Sequence, residues 1–293
     1  MFSHENAIVI KYGGNAMTDS MTKRNVIRDI ARLYKGGLQP VVVHGGGPAI
    51  TALLERLGLE SEFVGGHRKT TAESMEAVEM ALCATVNNDL VKRLNRAGAH
   101  AVGLSGKDGR LITARKRVHR VRRGQAVVEV DLGLVGEVAT VDRHVVDTLM
   151  NAGYVPVIAP VAVGEDGLDY NINADLVAGA MARAMGASCL VYLTNTNGIL
   201  RNPEKKSTRI PLMTAGEARS HMGDIITGGM LPKVESCIRA LEGGVKSAHI
   251  INAGSRRPLS RLLLEGELLG TTLTAPGRKK RRRNHSRPNT GTG

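Results

Sequence analysis

Six short runs of β-branched and aliphatic residues recur along the chain with amphipathic stretches between them: AIVIK (7–11), PVVVH (40–44), HAVGL (100–104), YVPVIAP (154–160), CLVYLT (189–194) and AHIIN (248–252). Strands that alternate with helix-length segments build βαβ units, so the expected fold is α/β, a mostly parallel sheet with helices on both faces. The core has little choice of material. With two Phe, five Tyr and no Trp in 293 residues, it must be built from Val, Ile, Leu, Ala and Met, which suits a sheet buried on both sides. The same shortage speaks against a protein that stacks bases on aromatic rings. A chain of this length can form one large domain or two lobes.

The clearest helix begins at TTAESMEA, where Thr70 and Glu73 read as a capping box. Met75, Val78, Leu82, Val86, Leu90 and Leu94 then follow at steps of three or four, a stripe for a core or a partner subunit. Residues 111–141 break the alternation and read as strand, basic turn around Arg123-Gly124, and strand: a β-hairpin excursion. No repeat of 20 to 50 residues is visible. Residues 277–293 contain no aliphatic side chain, and a disordered basic tail is expected there.

The formal net charge is +13, yet two runs hold all of the excess. RKRVHRVRR (115–123) carries six Lys or Arg and RKKRRRNHSR (278–287) carries seven; outside them 27 basic residues match 27 acidic ones. A nucleic-acid partner is therefore not the first reading, although the tail leaves the question open. Cys83, Cys189 and Cys237 lie far apart without metal-ligand or CxxC spacing, and buried reduced thiols are expected. The N-terminal residues have no signal-peptide pattern and no apolar segment approaches membrane-spanning length, so a soluble cytoplasmic protein is expected.

Three glycine clusters each follow a predicted strand: Lys11-Tyr12-Gly13-Gly14, His44-Gly45-Gly46-Gly47-Pro48 and Thr227-Gly228-Gly229-Met230. Glycine lets backbone N–H groups approach an anion, and a helix opening just after it adds the positive end of its dipole. Three such clusters at the carboxyl ends of strands point to a phosphate or carboxylate site. The P-loop, dinucleotide and protein-kinase signatures are absent.

The segments VIKYGGNAM (9–17), VVVHGGGPAI (41–50), GGHRKT (65–70), GLSGKDGRLI (103–112), YNINAD (170–175) and GGMLPKVE (228–235) resemble the successive signature blocks of the N-acetylglutamate kinases, within the amino acid kinase family. The similarity spans roughly residues 7–274. It implies an open eight-stranded, mostly parallel sheet in an αβα sandwich, with an amino-acid-binding and dimerising lobe at 1–180 and an ATP-binding lobe at 181–276. The implied reaction moves the γ-phosphoryl of ATP to the side-chain carboxylate of N-acetyl-L-glutamate, in arginine biosynthesis.

Carried over by position, Lys11 and Lys233 match lysines that stabilise the transferring phosphoryl group and Asp175 the carboxylate that positions them. Gly46, Gly47, Arg68 and Asn171 match substrate-binding positions. Gly13, Gly14, Thr194, Asn195, Gly198 and Gly229 fall on the nucleotide side. These roles agree with the residues' own chemistry. Phosphoryl transfer needs positive charge and N–H donors around the equatorial oxygens, and a carboxylate acceptor, ionised at neutral pH, needs no general base. The Arg68 fork can bond both oxygens of a carboxylate. Asn171 and Asn173 read equally well as loop and cap residues of a helix at 175–186. His44 reads as a hydrogen-bonded structural histidine, and Asp108 and Glu235 as solvated or supporting charges. No protein ligand for a metal is expected; Mg²⁺ would be held mainly by the nucleotide phosphates.

The chain departs from the pattern at Thr194-Asn195-Thr196-Asn197-Gly198, where the family usually has Thr-Asp, two variable residues and Gly. The chain also starts about six residues before its first strand, whereas arginine-inhibited hexameric members carry an additional N-terminal helix. A homodimer insensitive to arginine is the expectation, with the helix at 71–97 as its interface. The alternatives are a kinase for carrier-protein-linked aminoadipate in lysine biosynthesis, whose acidic carrier would suit the basic hairpin, and a non-catalytic regulatory or polyanion-binding relative.

Overall fold

A computed structural model describes residues 6–13, 17–123 and 126–275, with the side chains of 121–127 left out. Eight strands form the main sheet: β1 (Ala7–Tyr12), β2 (Gln39–His44), β3 (Ala101–Ser105), β4 (Val155–Ala159), β5 (Cys189–Thr194), β6 (Leu212–Thr214), β7 (Ser247–Asn252) and β8 (Thr271–Thr274). They lie in the order β6-β8-β7-β5-β1-β2-β4-β3, parallel except where β8 runs against β7. This is the expected open, mostly parallel eight-stranded α/β sandwich. The six expected runs became six of these strands; YVPVIAP gives β4, which stops before Pro160, and a separate strand, Val161–Gly164, follows directly beyond the run. β6 and β8, of three and four residues, have no long apolar run to announce them.

Every residue of β1 is buried. Such a strand shows no alternation in sequence because both of its faces meet helices. Its two faces nevertheless go to different cores. Ala7 and Val9 pack with residues of the helices Ala174–Met185 and Leu231–Glu242, while Ile8, Ile10 and Tyr12 pack with residues of the helices Ser20–Lys35, Asn88–Arg96 and Pro258–Leu263.

The excursion is larger than one hairpin. Ile112–Lys116 and Val135–Val141 pair with each other and with Val161–Gly164 and Asp169–Ile172, closing a small four-stranded barrel. The hairpin His119–Arg123 with Ala126–Val130 projects beyond it, so the strand pair read from sequence is two nested pairs broken at Arg117 and Val118. The turn residue Gly124 and the tail 277–293 lie outside the described residues.

The long helix also departs from expectation. Its N-cap is Thr71, not Thr70, and the box partner is Ser74 rather than Glu73. Thr70 is instead drawn into backbone pairing with the excursion, giving its N–H to Leu132 and taking the N–H of Leu134. The helix runs Ala72–Glu79, widens to a π-helix over Met80–Asn87, and resumes at Asn88–Arg96. Met75, Val78, Leu82, Leu90 and Leu94 are buried in the chain's own cores. The apolar stripe thus packs inside the subunit, so a contact between subunits along this helix would have to use its other faces.

Cys189 and Cys237 are buried free thiols and Cys83 is half-buried. Burial pushes the thiol of Cys83 up to about 11 and that of Cys189 to about 12, so both stay protonated and unreactive near neutral pH. Among the described residues no helix is long and apolar enough to cross a membrane.

Candidate active site

Strand parity decides where Lys11 points. It shares the parity of Ala7 and Val9, so its side chain leaves the carboxyl end of β1 on the side of the helices Ala174–Met185 and Leu231–Glu242, with Tyr192 of β5 beside it. Both helices begin at that end. Asn173 caps the first, its Oδ1 accepting the Asp175 N–H at 2.8 Å, and Asp175 stands in the first turn, where the helix dipole favours a carboxylate. Leu231–Glu242 follows a 3-10 turn at Gly228–Met230 and carries Lys233 in its first turn.

The three side chains converge. Lys11 Nζ lies 2.7 Å from Asp175 Oδ1, and Lys233 Nζ lies 2.9 Å from Asp175 Oδ2 and donates to the Gly229 carbonyl at 3.1 Å. Lys11 and Asp175 are buried; the Lys233 side chain is 20% exposed. Burial is the largest influence on both buried groups. It lowers the Lys11 ammonium below its ordinary range despite the pull of Asp175. For Asp175 burial acts upward, but Lys11 and Lys233 together outweigh it and hold the carboxyl below the usual range.

Residues beyond sequence reasoning hold Asp175 in place. Its backbone carbonyl accepts from Ser236 Oγ at 2.8 Å, and Ser236 accepts from the Tyr192 hydroxyl at 2.7 Å. Gly179 makes this possible, since a Cβ there would meet Ser236 Oγ at 2.0 Å. Tyr192 was visible in sequence only as the one hydroxyl-bearing ring within CLVYLT.

A cleft of about 610 Å³ opens over this cluster. Gly46 and Gly47 form one wall ahead of the helix Gly47–Arg56, with Leu82 so near that a Cβ on Gly46 would lie 2.6 Å from it. Arg68 enters from the two-stranded hairpin Phe63–Val64 and His67–Arg68, its guanidinium 4.5 Å over the Phe63 ring. It donates to Thr51 Oγ1 at 2.7 Å, to the Gly47 carbonyl at 3.3 Å and to Ser61 Oγ. Among the described residues no carboxylate pairs with it, which leaves its charge for a ligand in the cleft. Asn171 lines the same cleft and donates to Thr70 Oγ1 at 3.2 Å.

On the other side lie Gly13, Thr194 and Asn195. A Cβ on Gly13 would stand 3.1 Å from Lys11 Nζ, so the glycine leaves the ammonium its space. Thr194 is buried and its Oγ1 accepts the Thr196 N–H at 3.0 Å, while Asn195 is exposed at the mouth. Gly198 does not line the cleft. It has φ +101° and its backbone packs on Gly270 and Thr271, where any Cβ would collide, so it shapes the turn behind. Gly229 acts through its carbonyl on Lys233, and Gly14 lies outside the described residues.

His44, of opposite parity to Lys11 within the paired strands, faces away from the cluster and is fully buried. Burial lowers its pKa to about 4, which fits the structural rather than the catalytic reading. Asp108 accepts from the Ser105 N–H and hydroxyl, and Glu235 pairs with Arg239 one helical turn on.

Residues 6–252 match the amino acid kinase family as a whole. The chain belongs to that family. The acetylglutamate kinase of Moorella thermoacetica is 47% identical over 257 residues, 87% of this chain and 86% of that protein. The acetylglutamate kinase of Archaeoglobus fulgidus is 45% identical over 269 residues, 92% of this chain and 93% of its own length. The carbamate kinase of Giardia lamblia superposes with a TM-score of 0.68 over 93% of this chain and 100% of that one, at 17% identity. That last likeness shows the fold alone.

Proposed function

We propose that the chain is an acetylglutamate kinase that transfers the γ-phosphoryl of ATP to the side-chain carboxylate of N-acetyl-L-glutamate, giving an acylphosphate. The observation that carries this is the Lys11-Asp175-Lys233 cluster at the base of a cleft whose one wall offers Arg68 and the glycine loop. The high identity to kinases of that name over most of the chain agrees with it.

Two ammoniums on either side of one carboxylate form a compact positive site. Phosphoryl transfer is helped chiefly by fixed positive charge and N–H donors around the moving group. Arg68 and Asn171 suit the carboxylate and amide of the acyl amino acid; Gly13, Thr194 and Asn195 suit the nucleotide. We place the amino acid in the N-terminal lobe and ATP in the C-terminal lobe, the single sheet running through both. Mg²⁺ would enter with ATP, on its phosphates. We place the protein in the cytoplasm, where ATP is supplied. Incubation with ATP, Mg²⁺, N-acetylglutamate and hydroxylamine should trap the acylphosphate as a hydroxamate. A hydroxamate formed only from carrier-linked aminoadipate would overturn the substrate.

Asn195 tests the lobe assignment. Replacement by Asp is expected to change the KM for ATP more than that for the acceptor, because Asn195 closes the β5 side of the cleft. An equal effect on both, or an effect on the acceptor alone, would show that the nucleotide lies elsewhere.

The assembly we propose is a homodimer. Met80, half exposed on the outer side of the long helix, supports that helix as part of the contact even though its main stripe is consumed inside. Light scattering at micromolar concentration should give twice the subunit mass, and a monomer or a hexamer would overturn the proposal.

A further inference from the structure

The first residue of the glycine loop is tied to the far side of the sheet. His44 Nδ1 and the Gly45 carbonyl are 2.9 Å apart, and Asn87 Nδ2 is 3.1 Å from His44 Nε2. A carbonyl can only accept, so Nδ1 carries the proton and Nε2 accepts from the Asn87 amide. The same amide group donates its second hydrogen to the Val157 carbonyl of β4 at 2.8 Å. Its oxygen sits against Gly103 of β3, where a Cβ would approach Asn87 Oδ1 to 2.1 Å. Asn87 and His44 are both buried, which makes each of these bonds costly to lose.

The orientation of one peptide is thereby set. No peptide among the described residues is cis, and in a trans peptide C=O and N–H point in opposite directions. With the Gly45 carbonyl held toward His44, the Gly46 N–H of the same peptide points the other way, where Gly46 lines the cleft. This peptide has glycine on both sides, so nothing in its own sterics prevents it from turning over. A turned peptide would show the bound anion an oxygen in place of a donor.

We infer that Asn87 is a positioning residue, which through His44 locks the Gly45-Gly46 peptide with the Gly46 N–H aimed at the reacting anion. The π-helix is the device that delivers it. Met80–Asn87 ends on Asn87, and the extra residue of a π-turn rotates the next stretch of helix by about 100° relative to an uninterrupted α-helix. Leu82 and Val86 of the same segment close on the other side of Gly46. The widened helix therefore bears on the loop twice, by packing and by hydrogen bonding. This lock rests on the proposed phosphoryl transfer for its purpose, though not for its geometry.

Losing one preorganised donor from a developing charge costs about 100- to 1,000-fold in turnover, and a peptide that turns over part of the time loses a fraction of that. Asn87→Ala is expected to lower kcat at least about tenfold with the KM for ATP little changed. His44→Asn, whose amide can replace Nδ1–H toward Gly45, should retain several times the kcat of His44→Ala. Asn87→Asp is the sharpest arm. A carboxylate cannot donate to Nε2, so the ring must take a second proton to serve both neighbours, and Lys11 repels that proton. Its activity relative to wild type should therefore rise as pH falls, a change that mere loosening of the fold would not produce.

Selective ¹⁵N-glycine labelling reads the lock without catalysis, through the Gly46 amide shift and hydrogen exchange in wild type and Asn87→Asp. An unmoved Gly46 amide, a parallel pH profile for Asn87→Asp, or equal activities for His44→Asn and His44→Ala would each overturn the inference. Should Asn87→Ala not fold, the two folded His44 variants decide. Wild-type protein that makes no hydroxamate would defeat the proposed function, and the amide measurement would then judge the lock alone.

Discussion

Lys11→Met and Lys233→Met are each expected to lower turnover about 100- to 1,000-fold, the cost of losing one fixed electrostatic contact of about 3 to 4 kcal/mol in the transition state. Methionine keeps most of the length and the apolar stem of lysine and removes the ammonium with its charge and donors, so folding and acceptor binding should suffer less than kcat. The alkaline side carries a further signature. Burial lowers the Lys11 ammonium from its ordinary value of 10.5, so activity should begin to fall with rising pH earlier than an exposed lysine would dictate. Folding moves the other way: a depressed lysine pKa means that the charge opposes folding, and that penalty lifts as pH climbs from the folded value to the unfolded one. Near-normal turnover of either methionine variant in the hydroxamate assay would remove that lysine from the mechanism.

Asp175→Asn should be more damaging than its small change of shape suggests. It removes the carboxylate shared at 2.7 and 2.9 Å by two lysines and leaves two ammoniums repelling each other. Removing one partner of a buried pair costs about 3 to 5 kcal/mol, so chemical denaturation should show a large loss of stability as well as a loss of turnover. Because both lysines depend on this carboxylate, Asp175→Asn combined with Lys233→Met should be clearly less than additive; strict additivity would mean that the three groups act separately. The pH dependence has a definite sign. The folded Asp175 carboxyl is held below its unfolded value, so its contribution is present above about pH 4 and is lost as pH falls through the depressed folded value. In Asp175→Asn that acid-side decline should be missing.

The legible part of the site was of two kinds. The glycine clusters after β1 and β2 were readable from the residues alone, because a strand end followed by glycine is a local pattern, whereas the cluster Gly228-Gly229, expected after a strand, instead follows the helix Ala215–Ser220 and a turn and opens the helix Leu231–Glu242. The roles of Lys11, Asp175 and Lys233 came from the resemblance, since nothing local distinguishes them from other lysines and acids. Gly198 shows the limit of both. It holds its expected place in the pattern, yet it serves a turn packed on Thr271 instead of lining the cleft.

By itself the sequence determined the central strands, the glycine loops and the start of the long helix to within one residue, because strand runs, backbone freedom and capping are properties of neighbouring residues. It even carried an unread sign of the π-turn. From Val78 to Leu94 the apolar residues advance in four successive steps of four, a spacing that drifts about 40° per step on a 3.6-residue helix and returns to one face only if a residue is inserted. Only the tertiary structure decided the rest. The short edge strands β6 and β8 exist because neighbours complete their hydrogen bonds. The stripe of the long helix turned inward because the subunit's own sheet was there to bury it. Lys11, Asp175 and Lys233 meet because strand parity and two helix starts converge at one end of the sheet, and no local pattern encodes a meeting between distant segments.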